Sequence, residues 1–164
     1  MSHVQDMIYE HLANSAGSHD MNVDGSVTPV QFFYQCPANH RAFLYRVIVQ
    51  IQDTGMTHIT YGGLAALANG LAVDILDSSD TSINDFTGGE PIQDNATWRS
   101  LCYDANYETK GSLDSLAVRW VFSKDVGGPV IMEAGDKFVM TVNDDLTGLT
   151  KHHAIIRGYL QHLD

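Results

Sequence analysis

Positive charge is scarce in this chain: nine lysines and arginines stand against twenty acidic residues, for a formal net charge of −11. Between Val47 and Trp98 there is no lysine or arginine, while Asp53, Asp74, Asp77, Asp80, Asp85, Glu90 and Asp94 fall there. Such a surface repels phosphate backbones, so no nucleic acid is expected as a partner. Cysteine is nearly absent as well. Cys36 and Cys102 fit neither a zinc site nor a disulfide scaffold, and free thiols in a reducing cytoplasm are expected, with pairing left open. No charged-plus-apolar leader is visible, and without secretion the sequon Asn95-Ala-Thr carries no meaning. The longest apolar run, Leu64 to Leu76, is broken by Asn69, Gly70 and Asp74 and is too short and polar to span a bilayer, so no membrane is expected. A nucleophile elbow, a paired-histidine zinc helix and a phosphate-binding loop are all missing.

What is there looks β-rich. A chain of 164 residues with 44% apolar content is large enough for one domain with a proper core. Val4, Met7, Ile8 and Leu12 recur at helical spacing, which predicts a short N-terminal helix, and Ser15 to Gly25 reads as a loop. From Thr28 the period becomes two. Thr28, Val30, Phe32 and Tyr34 share a face; Phe43, Tyr45, Val47, Val49 and Ile51 share the next, with Arg46, Gln50 and Gln52 opposite. Leu71 to Ile75, Leu116 to Phe122, Phe138 to Val142 and Ala154 to Leu160 continue the pattern, with shorter runs near Thr81 to Phe86, Trp98 to Tyr103 and Val130 to Met132. Many short strands without a βαβ rhythm predict an all-β sandwich or barrel. The expected organisation is an arm over residues 1–25, docked on its own domain or a neighbour, and one β-sandwich over 26–164. Such an arm should be dispensable for folding.

The candidate chemistry is thin. Asp20, Asn22, Asp24 and Gly25 match the opening of a calcium loop, but its twelfth position is Gln31 and a strand follows, which favours a turn. The eight histidines, His3, His11, His19, His40, His58, His152, His153 and His162, lack metal-ligand spacing and read as surface or interface residues. His152 and His153 should point to opposite faces of a strand. Asp74, Asp77, Asp80 and Asp85 read as solvated loop charge rather than a catalytic pair. Cys36 and Cys102 read as small core residues. Tyr61, Trp98, Tyr103 and Tyr107 are candidates for a sugar-stacking platform, with core packing the stronger reading; Trp120 belongs to a core stripe. Catalytic, cofactor-binding and metal residues are expected to number none.

Five segments carry a family resemblance: Asp24-Gly-Ser-Val-Thr-Pro-Val, Gln52-Asp-Thr-Gly-Met, Tyr61-Gly-Gly-Leu-Ala-Ala-Leu-Ala-Asn-Gly, Cys102-Tyr-Asp and Asn143-Asp-Asp-Leu-Thr-Gly-Leu-Thr-Lys-His-His. Together, from Asp24 to the C-terminal end, they resemble small virion structural proteins of tailed bacteriophages. The resemblance implies a jelly-roll-like β-sandwich and a non-enzymatic head decoration, or cement, protein on the capsid exterior, assembled in the host cytoplasm. Its implied partners are the major capsid protein, or other virion proteins, and copies of itself as a homo-oligomer on the particle. A neck, tail or baseplate protein and a carbohydrate-binding β-sandwich module are the alternatives. The stretch around Gly62-Gly63 is the first place to expect a contact with another virion protein.

Overall fold

The computed structural model describes residues 5–101, 104–110, 112–122 and 128–164. Two antiparallel sheets face each other across one core. The larger contains β1 (Gln5–His11), β10 (Lys151–His162), β3 (His40–Asp53), β7 (Leu113–Val121) and β6 (Asp104–Lys110), in that order, with β8 (Val130–Met132) also paired to β3. The smaller runs β2 (Val30–Gln35), β9 (Lys137–Val142), β4 (Leu71–Leu76) and β5 (Ser82–Asp85). This is the all-β sandwich that the period of two predicts. Phe32 and Tyr34, Val73 and Ile75, Leu116 and Val118, and Phe138 and Met140 all turn into the core. With Trp120 and Phe122, Phe86 and Phe138 form an aromatic cluster, ring centroids 5.4–5.8 Å apart.

The expected N-terminal helix is corrected by the structure: residues 5–11 are strand β1, paired with β10 from Gln5↔Gln161 to His11↔Ile155. The physical reason lies in the spacing. Positions four apart share a face in a strand as they do in a helix, so Ile8 and Leu12 fit both, and both are buried. Met7 separates the two readings, and it is 84% exposed. Leu12 N–H then donates to the Ala154 carbonyl, and Ala13 bridges to Phe33 of β2, so this segment joins the two sheets. Residues 5–25 are therefore part of the sandwich, with Ile8, Leu12 and Met21 in the core. Val4 and His3 lie outside the described residues.

A second correction concerns Trp98 to Tyr103, read as a strand. Residues Asn95–Leu101 form helix α1, and residues 102 and 103 lie outside the described residues. Asp94 accounts for the start: its carboxylate accepts the Thr97 N–H and hydroxyl, both at 2.7 Å, which is the geometry of an N-cap.

The third correction sits in β3. Ala42 and Leu44 point inward, and so do Val47, Val49 and Ile51, so two residues rather than one separate Leu44 from Val47. The register with β10 slips at that point, from Arg157↔Arg46 to Gly158↔Leu44, leaving Tyr45 as the extra residue of a β-bulge. A Cβ at position 158 would stand 2.0 Å from the Phe43 carbonyl oxygen, so glycine is what lets the strands approach there. Phe43 and Tyr45, expected in the core, are turned to the outside.

Because Leu12 is fully buried, Leu12→Ala should cost about 2–5 kcal/mol. Urea denaturation measures this, and a loss below about 0.5 kcal/mol, ordinary for surface positions, would restore the picture of a dispensable arm.

Candidate functional site

The bulge gives the outer face of the larger sheet an unusual composition. Met7 and Tyr9 of β1, Tyr45 of β3 and Ile131 of β8 are exposed large side chains, between 40% and 84% accessible. Tyr159 of β10 stacks on Phe43 at 4.6 Å with the rings nearly parallel, and Tyr45 leans on it at 5.6 Å. A hydrogen bond shared with Tyr45, which favours the protonated hydroxyl, holds the Tyr159 pKa above its usual value. Isolated exposed apolar residues are ordinary, whereas here aromatic and large apolar side chains from three neighbouring strands stand together on one outer face.

Cations interleave with these rings. Arg157 lies 4.6 Å over the Tyr9 ring, a cation–π contact. Arg46 stands directly opposite Arg157 in the β3–β10 ladder. Like charges directly opposite are destabilising, and among the described residues neither arginine has a carboxylate within ion-pair distance. Elsewhere on the sheet Arg41 pairs with Glu133 at 2.9 Å. The chain is strongly acidic, yet the outer positions of β1, β3, β7 and β10 carry arginine and no acid.

Sequence reasoning missed this face because the alternation rule sends Phe43 and Tyr45 inward with Val47. Gly158 inside an otherwise apolar run was the available signal, since an isolated strand glycine marks a bulge.

Other candidates fall elsewhere. For Tyr61 and Trp98, which have no exposed surface, the core-packing reading holds over the sugar platform. Tyr103 lies outside the described residues and Tyr107 sits on β6. Asn22 donates to the Leu149 carbonyl, while the Asp24 carboxylate accepts from Ser26, so the two do not converge on an ion. Gly25 packs where a Cβ would meet the Val142 carbonyl, as a turn into the first strand of the smaller sheet requires. Asp77 and Asp85 cap their own turns, Asp74 accepts from Ser82, and Asp80 pairs with Lys137 at 2.7 Å. Among the described residues no three His, Cys, Asp or Glu side chains are grouped to hold a metal. Cys36 is buried and donates to the His40 carbonyl, and burial raises its thiol pKa to about 11. Cys102 lies outside the described residues.

The stretch around Gly62-Gly63 is anchored from within at the buried Tyr61 and Gly62, while Ala65, Ala66, Ala68 and Asn69 farther along it are exposed. Asn95, buried at the start of α1, accepts the Gly62 N–H and donates to the carbonyls of Thr57 and Gly62. Asp53 accepts the Gly63 N–H, and Asp114 accepts the Met56 N–H. Three side chains thus clamp this loop from inside, and Leu71, Val73 and Ile75 after it are core.

Of the histidines, His11, His19 and His153 gather at one end of the face, with ring centroids 5.3 and 5.4 Å apart around His11. His152 and His153 do point to opposite sides. His152 corrects the surface reading: it is buried at 1% exposure, and its Nε2 lies 3.2 Å from the Tyr61 hydroxyl. Burial first, then the neighbouring His153, pushes its pKa down to about 3, against a small upward pull from the Met21 backbone. No family model, curated protein or solved structure matches this chain.

His152 makes stability pH-dependent. It is neutral in the folded state, so below about pH 6.5 the unfolded chain takes up a proton that the folded one refuses. Its contribution is complete above that pH and is lost as pH falls toward 3, amounting to about 2 kcal/mol between pH 7 and 5. His153, also lowered by burial, acts in the same direction. Denaturant midpoints across this range should fall for the parent and fall less for His152→Gln; identical slopes would exclude His152 as the source.

Proposed function

We propose that this chain is a non-enzymatic structural protein of a tailed-bacteriophage virion, a head decoration protein that binds the outer capsid and ties neighbouring capsid subunits together. The observation that carries the role is the aromatic and arginine-bearing outer face of the larger sheet. Tyrosine, methionine and arginine are the residues enriched where proteins meet, and a few of them in a packed group carry most of an interface's energy. Rigid strands hold the group in place, so little side-chain order has to be acquired on binding.

The finer fold we propose is a jelly roll. With β6 and β8 set aside, the sheets run β1-β10-β3-β7 and β2-β9-β4-β5. Eight strands in two sheets, with early strands beside late ones, match two nested Greek keys. Capsid and lectin domains both use that architecture. The burial of Tyr61 and Trp98 removes the sugar platform from the competing lectin-like role.

An electron-microscopic reconstruction of the source particle tests the proposal. Hundreds of copies on the outside of the shell are expected. A few tens at the neck or tail would move the protein off the head, and its absence from the particle would overturn the virion role.

A further inference from the structure

We infer that the outer face of the larger sheet receives a second copy of this chain, through the acidic β5 side of that copy's smaller sheet. The inference rests on reading the face as an assembly surface.

The two surfaces are complementary in charge. The face holds Arg46 and Arg157 opposite one another, with no carboxylate among the described residues within ion-pair distance of either. The β5 side carries Asp77, Asp80, Asp85 and Glu90, against which the described ion pairs set one cation, Lys137 on Asp80. They are complementary in shape of chemistry too. β5 is the last strand of its sheet, its four residues are all exposed, and Ile83 projects from it at 56% exposure, two residues before Asp85. An exposed apolar side chain on an acidic edge strand suits a group of aromatic rings flanked by arginines.

The geometry also selects the mode. A two-fold contact of the face with itself, centred on the Arg46–Arg157 pair, would set these arginines against their own copies. The opposite charges lie on different sheets of one sandwich, so a molecule cannot satisfy itself. The contact is therefore heterologous, head to tail, and each added copy leaves one face and one acidic side free. The overall charge of −11 opposes approach, but screening confines that repulsion to about 8 Å at physiological salt.

The test uses two full-length variants, each checked for folding by circular dichroism. R46E/R157E alters the face and keeps the acidic side; I83D/E90K alters the acidic side and keeps the face. Sedimentation velocity on the parent should show association that grows with concentration, and each variant alone should associate about tenfold more weakly or worse, 1.4 kcal/mol per decade. Mixed together, the two variants should form a one-to-one heterodimer that grows no further, since one intact face and one intact acidic side remain. Self-dimers of I83D/E90K as tight as the parent's would overturn the proposal in favour of a face-to-face contact. A parent that stays monomeric also overturns it, and particle binding then separates the two readings. If R46E/R157E loses binding to the source particle, the face serves another protein and remains an assembly surface. If it binds like the parent, the assembly reading falls as well.

Discussion

The register slip between β3 and β10 is the constraint on which the exterior of this protein depends. At Gly158 the two backbones approach within the space a Cβ would need, and one extra residue of β3 is accommodated opposite. On one side of the slip β3 pairs with β7, and on the other with β8, so the same residues also decide where one neighbour ends and the next begins. Past the slip, side chains that would have enlarged the core stand outside. The face they build exists because the strand changes parity in its middle. A larger residue at position 158 would have to displace backbone, which is far harder than moving a side chain.

The interior was largely legible in the amino-acid order. Alternation predicted β2, β4, β7 and β9 with the inward residues right, because a half-buried strand has little other way to satisfy both solvents. β1 was misread because the apolar spacing of its residues does not single out one period. Ile8 and Leu12 fit either period, and the tie is broken by pairing with a strand some 150 positions away. The helix at Asn95 was hidden in a similar way, its start depending on one aspartate cap and its value on hydrogen bonds to a loop before β4.

The site was far less legible than the fold. Acid residues and histidines draw the eye in the sequence, yet the structure spends several of the acids on turn caps and puts one histidine in the core beside Tyr61. The tyrosines that matter at the surface, Tyr9, Tyr45 and Tyr159, belong to three strands and look like core residues one strand at a time. Only their meeting across the ladder distinguishes them. The small, apolar stretch near Gly62 is tied down at its start by Asp53, Asn95 and Asp114, partners far enough away in the chain that spacing alone does not reveal them.

The place of β10 has a consequence for the order of folding. It is the last strand in the chain and sits between β1 and β3 in the larger sheet. During synthesis β1 has no strand to pair with until residue 151 onward has been made, and β3 presents one bare edge for as long. Pairings this distant in sequence carry a loop-closure penalty before they return any contact, which slows folding. The nascent chain therefore passes through a stage with an open, apolar ladder, and its abundance of negative charge keeps such chains apart from one another while they wait.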